Sequence, residues 1–271
     1  MSISLPPPPG TTLDPLYPDS DGEPMGETEC HVDALAHLYE VLQQWFRAWA
    51  DVHVAGDMLL YYEQGNPSAV RGPDVMVSKG VRGKHLRRSF RTWEEGVVPA
   101  TIFEITSGST KREDQIEKPA LYARLGVKEY FLFDPQGDYL QPRLQGFRLV
   151  GGRYISMPSE KADRLSSAEL GLDLAIDGHL LRVVDPATGD WLPTREEYEQ
   201  QVELARRGAL EAGRSAAEAQ NKAAEAQRKA AEAQSKAAEA QREAEAERRR
   251  SALLESEIAR LRALLPPDAE S

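Results

Sequence analysis

The chain has 271 residues, of which 33 are basic and 44 acidic, giving a formal net charge of −11. That length admits one sizeable core plus an extension. A single cysteine, Cys30, excludes an intramolecular disulfide and any multi-cysteine zinc site, and the 19 basic against 28 acidic residues of positions 1–194 argue against tight, indiscriminate nucleic-acid binding.

There is no basic-then-apolar leader and no apolar run of membrane-spanning length, so a cytoplasmic protein without a membrane partner is expected. The five histidines (His31, His37, His53, His85 and His179) show no ligand-like spacing. Residues 1–25, rich in Pro, Gly and Asp, predict a flexible arm. His31, Leu35, Leu38, Leu42, Trp45 and Trp49 then recur at helical spacing, with Glu29 at the start where it suits the helix dipole. Val52–Ala55 and Met58–Glu63 read as one strand broken or bulged at Gly56, and Ala69–Val77 as the next. That second strand carries Asp74 within Gly72-Pro73-Asp74-Val75-Met76-Val77.

A basic loop follows: Lys79, Arg82, Lys84, Arg87, Arg88 and Arg91, with no acidic residue from Ser78 to Trp93. A solvated loop would account for it. Because the loop joins the Asp74 strand to the next one, it is also expected to pass near that strand's acid and to attract phosphate, with Lys111 and Arg112 adding to the patch.

The next strand, Thr101-Ile102-Phe103-Glu104-Ile105-Thr106, is a β-branched and aromatic run interrupted by Glu104. A carboxylate in such a strand is costly unless it is paired, hydrogen-bonded or metal-bound. Two carboxylates, Asp74 and Glu104, at the ends of neighbouring strands suggest a shared hard cation, Mg²⁺ or Mn²⁺. Residues 114–125 have helical periodicity, with Lys118, Leu121, Tyr122 and Leu125 on one face. The ammonium of Lys118 thus falls on an apolar face, where it either snorkels to the edge or joins Asp74 and Glu104 as a third active-site group.

A strand over Glu129–Asp134, a hairpin of Gln145–Val150 with Arg153–Met157, and a last strand at Leu180–Val184 complete the domain. Residues 216–243 then repeat AAEAQNK, AAEAQRK, AAEAQSK and AAEAQRE, a seven-residue period in a helix-favouring composition. Alanine buries little area, so the repeats themselves associate weakly, and Leu254, Ile258, Leu261 and Leu265 make the better seam.

Pro73-Asp74, Phe103-Glu104-Ile105-Thr106-Ser107-Gly108-Ser109-Thr110, Asp114 with Lys118, and the run from Tyr122 to Asp134 together resemble the Uma-two branch of the PD-(D/E)xK restriction-endonuclease-like superfamily, over about residues 25–185. The resemblance implies an α/β fold: a restriction-endonuclease-like mixed central sheet flanked by helices over 26–193. A helical heptad tail over 194–271, a long α-helix or coiled coil, would follow it. It implies that Asp74, Glu104 and the backbone carbonyl of Ile105 hold the metal, with Glu27 in the region where related nucleases place a further acid. Two departures stand out. Thr106 occupies the usual lysine position, which passes that role to Lys118, and Pro119 directly after Lys118 disfavours helical dihedrals there.

Two functions are therefore expected. One is metal-dependent hydrolysis of DNA phosphodiesters by Asp74, Glu104 and Lys118. The other is a catalytically inactive, nuclease-like binding or assembly module, tethered by its heptads to a second copy or to a partner.

Overall fold

The computed structural model describes residues 8, 9, 11, 14–20, 28–108, 110, 112–158 and 164–262. Glu27, Lys111 and Leu265, singled out above, lie outside the described residues, as do most of residues 1–25. The contacts divide the chain into a compact unit over Met1–Gln200 and a second over Gln201–Ser271.

The first unit opens with α1 (Glu29–Trp45), whose N-cap Thr28 side chain accepts a hydrogen bond from the His31 N–H. Strand β1 (Val52–Gly56) follows, then the short β2 (Leu60–Tyr61) and β3 (Val70–Arg71), β4 (Val75–Lys79) and β5 (Phe90–Arg91). After the single turn α2 (Thr92–Glu95) come β6 (Thr101–Ile105), a π-helical turn over Glu113–Glu117 that runs into α3 (Lys118–Leu125), and β7 (Glu129–Phe133). Strands β8 (Leu144–Val150) and β9 (Arg153–Ser156) form a hairpin, and β10 (Arg164–Ser167), β11 (Leu172–Asp177) and β12 (Leu180–Val184) a meander. The long α4 (Arg195–Arg262) ends the described chain.

The central sheet has the order β1-β4-β6-β7-β8-β9 and is mixed: β6 and β7 run parallel and every other neighbouring pair antiparallel. Alternation along the strands sorts the core to two faces. Val75, Val77, Phe103, Ile105, Phe131 and Phe133 meet α1 and the leucines of β10–β12. Met76, Ile102, Tyr130 and Leu132 meet Leu121 and Tyr122 of α3 on the opposite face. Gly146 of β8 sits where a Cβ would come within 2.9 Å of both Phe131 and Leu165, so a side chain there would prise two core residues apart.

Two expected strands are divided. The stretch from Val52 to Glu63 is broken after Gly56, not bulged, into β1 in the central sheet and β2 in the small sheet β3-β2-β5, separated by a turn in which Asp57 takes a left-handed φ of 46°. Ala69–Val77 likewise splits into β3 and β4, because Pro73 has no N–H for a ladder and Gly72-Pro73-Asp74 turns the chain from one sheet to the other. Asp74 is therefore on a turn immediately ahead of β4.

Candidate active site

The strand register explains how two acids distant in sequence meet. Val75 pairs with Phe103 and Met76 with Ile102, so one step further places Asp74 opposite Glu104. Glu104 points to the face covered by α3. Glu104 is buried on that face and both of its oxygens are occupied. Oε2 lies 2.7 Å from the Lys118 ammonium, and Oε1 accepts from the Tyr122 hydroxyl at 2.9 Å. Lys118 in turn reaches the Asp114 carboxylate at 2.8 Å. Asp74 Oδ2 accepts the Ile105 N–H at 2.5 Å, and Asp74 Oδ1 faces His31 Nε2 of α1 at 3.6 Å. Asp74 is the acid of this group most open to solvent.

Two buried acids, Glu104 and Asp114, share one ammonium, and their protonation equilibria are displaced. Burial pushes the Glu104 carboxyl up to about 8, opposed by Lys118 and reinforced by the charges of Asp74 and Asp114. Burial also raises Asp114, again against Lys118. For Lys118 burial acts downward, but the carboxylates of Glu104 and Asp114 outweigh it and hold the ammonium above its usual range. The donors all around are carboxylate oxygens, the set a hard cation prefers. Among the described residues no three His, Cys, Asp or Glu side chains are arranged to hold a metal ion. Asp74 and Glu104 carry carboxylate oxygens of the kind that Mg²⁺ takes together with main-chain and water oxygens.

Lys118 is helical, with φ −61° and ψ −44°, despite Pro119. The π turn before it already shifts the hydrogen-bond register, and Pro119 stands in the first turn of α3, where a helix has no use for its N–H. Thr106 is buried in the position expected of a lysine, with no hydrogen-bond partner for its hydroxyl among the described residues. Asp114 and Tyr122, which the sequence reading placed on the helix without assigning them to the site, complete the cluster. Their one sequence signal is a spacing of four residues on either side of Lys118, which any helix face shares.

The basic loop lies elsewhere. Strand β4 runs from Asp74 toward Lys79 and β6 from Thr101 toward Glu104, so the loop spans the end of this pair remote from both acids. Several of its cations have partners within the chain. Arg87 is buried and bidentate on Glu95, at 2.6 and 3.0 Å. Arg91, also buried, pairs with Asp14 and Glu94 and stacks over Tyr17. Arg88 pairs with Asp19, Lys79 with Glu169, and Lys84 donates to the Phe46 and Arg47 carbonyls at the end of α1. Asp14, Tyr17 and Asp19 belong to the segment expected to be an arm, and Tyr17 is buried against Tyr61 and Trp93. Arg82 is exposed. At the site end stand exposed Arg112, at the start of the π turn, and Arg71, 3.3 Å from Glu113.

No curated protein matches the chain. A crystal structure of a putative nuclease belonging to DUF820 from Anabaena variabilis ATCC 29413 is similar, at 12% identity and a TM-score of 0.41, covering 54% of this chain and 76% of that one. Residues 16–178 match the model of the Uma2 family, described as putative restriction endonuclease. With more than half of its length inside that match, the chain belongs to the Uma2 family.

Proposed function

We propose that this protein is a metal-dependent nuclease that hydrolyses DNA phosphodiesters at the Glu104 cluster. The observation that carries the reading is a buried carboxylate, Glu104, clamped by Lys118 and opposed across the sheet by Asp74, in a chain of a restriction-endonuclease family. Asp74, Glu104 and the Ile105 carbonyl would hold Mg²⁺ or Mn²⁺. Such an ion supplies Lewis acidity toward a phosphoryl oxygen and makes water more acidic.

The chain's own groups have distinct parts. Tyr122 donates to Glu104 Oε1 and fixes the carboxylate plane, while the Ile105 N–H does the same for Asp74. Asp114 anchors the Lys118 ammonium, which keeps its proton and presents positive charge where negative charge grows on a phosphoryl group under attack. Arg112 and Arg71 are placed to meet the phosphate backbone beside the site.

A second reading, a binding module without catalysis, draws on the internal pairing of Glu104 and Lys118, which also satisfies a purely structural role. Calorimetric titration with Mg²⁺ separates the two. The nuclease reading expects saturable binding by the wild type and none by Glu104→Ala. Absence of binding to a folded wild type, or equal binding by both, supports the module.

A further inference from the structure

The nuclease reading makes no use of α4. Its 68 residues are solvent-exposed along the whole length, including Leu254, Ile258 and Leu261 at 56, 50 and 59%. The intrahelical Glu–Lys pairs of the repeat need only a four-residue spacing, whereas a two-stranded coiled coil requires a sustained seven-residue period.

The period is longer than the four alanine repeats. Taking Leu254 and Leu261 as d and Ile258 as a, the same frame runs back without a stutter to Val202. Every a and d position from Ala205 to Ala244 is alanine, and only Glu247 and Ser251 interrupt the stripe before the leucines. Leu204, Leu210 and Leu253 fall outside it. Small residues at a and d let two helices approach closely, and the branched residues at the end supply the apolar area that alanine lacks.

The flanking positions choose the partner and the direction. In a parallel, in-register pair each g residue faces the e residue five positions on in the other helix. Those pairs are Glu243 with Arg248, Arg250 with Glu255 and Glu257 with Arg262, each of opposite sign. In the repeats Lys222, Lys229 and Lys236 face Gln227, Gln234 and Gln241, with no like charges opposed. An antiparallel pair would instead set g against g, bringing the lysines of the repeats together. We propose that α4 pairs in parallel and in register with α4 of a second copy of this chain.

Sedimentation equilibrium on the full chain should give twice the 30.1 kDa monomer mass. Leu254→Ser with Ile258→Ser should weaken dimerisation roughly tenfold or more while the melt of the 1–200 unit is unchanged. Arg250→Glu alone sets glutamate against Glu255 and should also weaken the dimer. Adding Glu255→Arg should restore it, a rescue that a merely structural role for either residue would not give. In a Cys30→Ser background, Ile258→Cys should join two copies covalently on oxidation, because equivalent a positions meet only in a parallel, in-register pair. A monomer at all concentrations, a dimer indifferent to the Leu254 and Ile258 changes, or a dimer in which Ile258→Cys fails to cross-link would each overturn the proposal.

Discussion

Glu104 decides the electrostatics at the scale of single residues. Its carboxyl keeps its proton to higher pH in the folded chain than in the unfolded one, so it favours folding at acid pH. That contribution is lost as pH rises from the ordinary 4.5 toward about 8. Glu104→Gln should therefore flatten the fall in melting temperature over that window, measured by thermal melts across a pH series. If Glu104 is a metal ligand as proposed, Mg²⁺ has to displace the same proton, so its affinity should increase with pH up to about 8 and be accompanied by proton release. Calorimetry in buffers of different ionisation enthalpy measures both; an affinity independent of pH would remove Glu104 from the metal site. Glu104 and Lys118 were legible because a charge inside an apolar pattern violates the pattern. Asp114 and Tyr122 were not, since an acid at a helix start and a tyrosine on an apolar face each have an ordinary explanation.

At the scale of elements, strand direction matters most. The sequence shows that a basic loop joins the Asp74 strand to the Glu104 strand, but not that both acids lie at the other end of an antiparallel pair. The cation run was likewise visible, whereas its anions were remote in sequence or beyond the run: Asp14, Asp19, Glu94 and Glu95. Arg87→Ala should accordingly act on stability. Removing one partner of a buried ion pair costs about 3–5 kcal/mol, read by urea unfolding, whereas Arg82→Ala on the exposed surface should stay within about 0.5 kcal/mol. Equal stability of the two variants would contradict the buried pairing. The Pro73 turn was legible as a turn signal. That it moves the chain between two sheets was not, because pairing partners are set by tertiary packing and not by local composition.

For the molecule as a whole, the compact unit extends past the expected boundary at residue 193. Leu192 packs in the core, the buried Arg182 guanidinium pairs with Glu197 at 3.0 Å, and Arg195 reaches Glu40 of α1. A chain ending at Gln200 should melt cooperatively at the temperature of the full-length domain transition. One ending at Pro193 should lose roughly 1–3 kcal/mol by removing the Glu197 carboxylate from the Arg182 guanidinium, which calorimetry of the two truncations would show. The onset of the long helix was plain from composition; the few residues that tie its first turns to the core were not, because they are polar and gain their partners only on folding.

The central claim, hydrolysis at the Glu104 cluster, is tested most directly by nicking of supercoiled plasmid in Mg²⁺, comparing the wild type with Glu104→Gln. The substitution keeps the volume and an oxygen for the Tyr122 contact but removes the ionisable carboxyl beside Lys118. The account predicts nicking by the wild type and a loss of about a hundredfold or more in the variant, the scale expected when a key charged group is removed, with an unchanged circular-dichroism spectrum. Nicking at the wild-type rate by Glu104→Gln would contradict it.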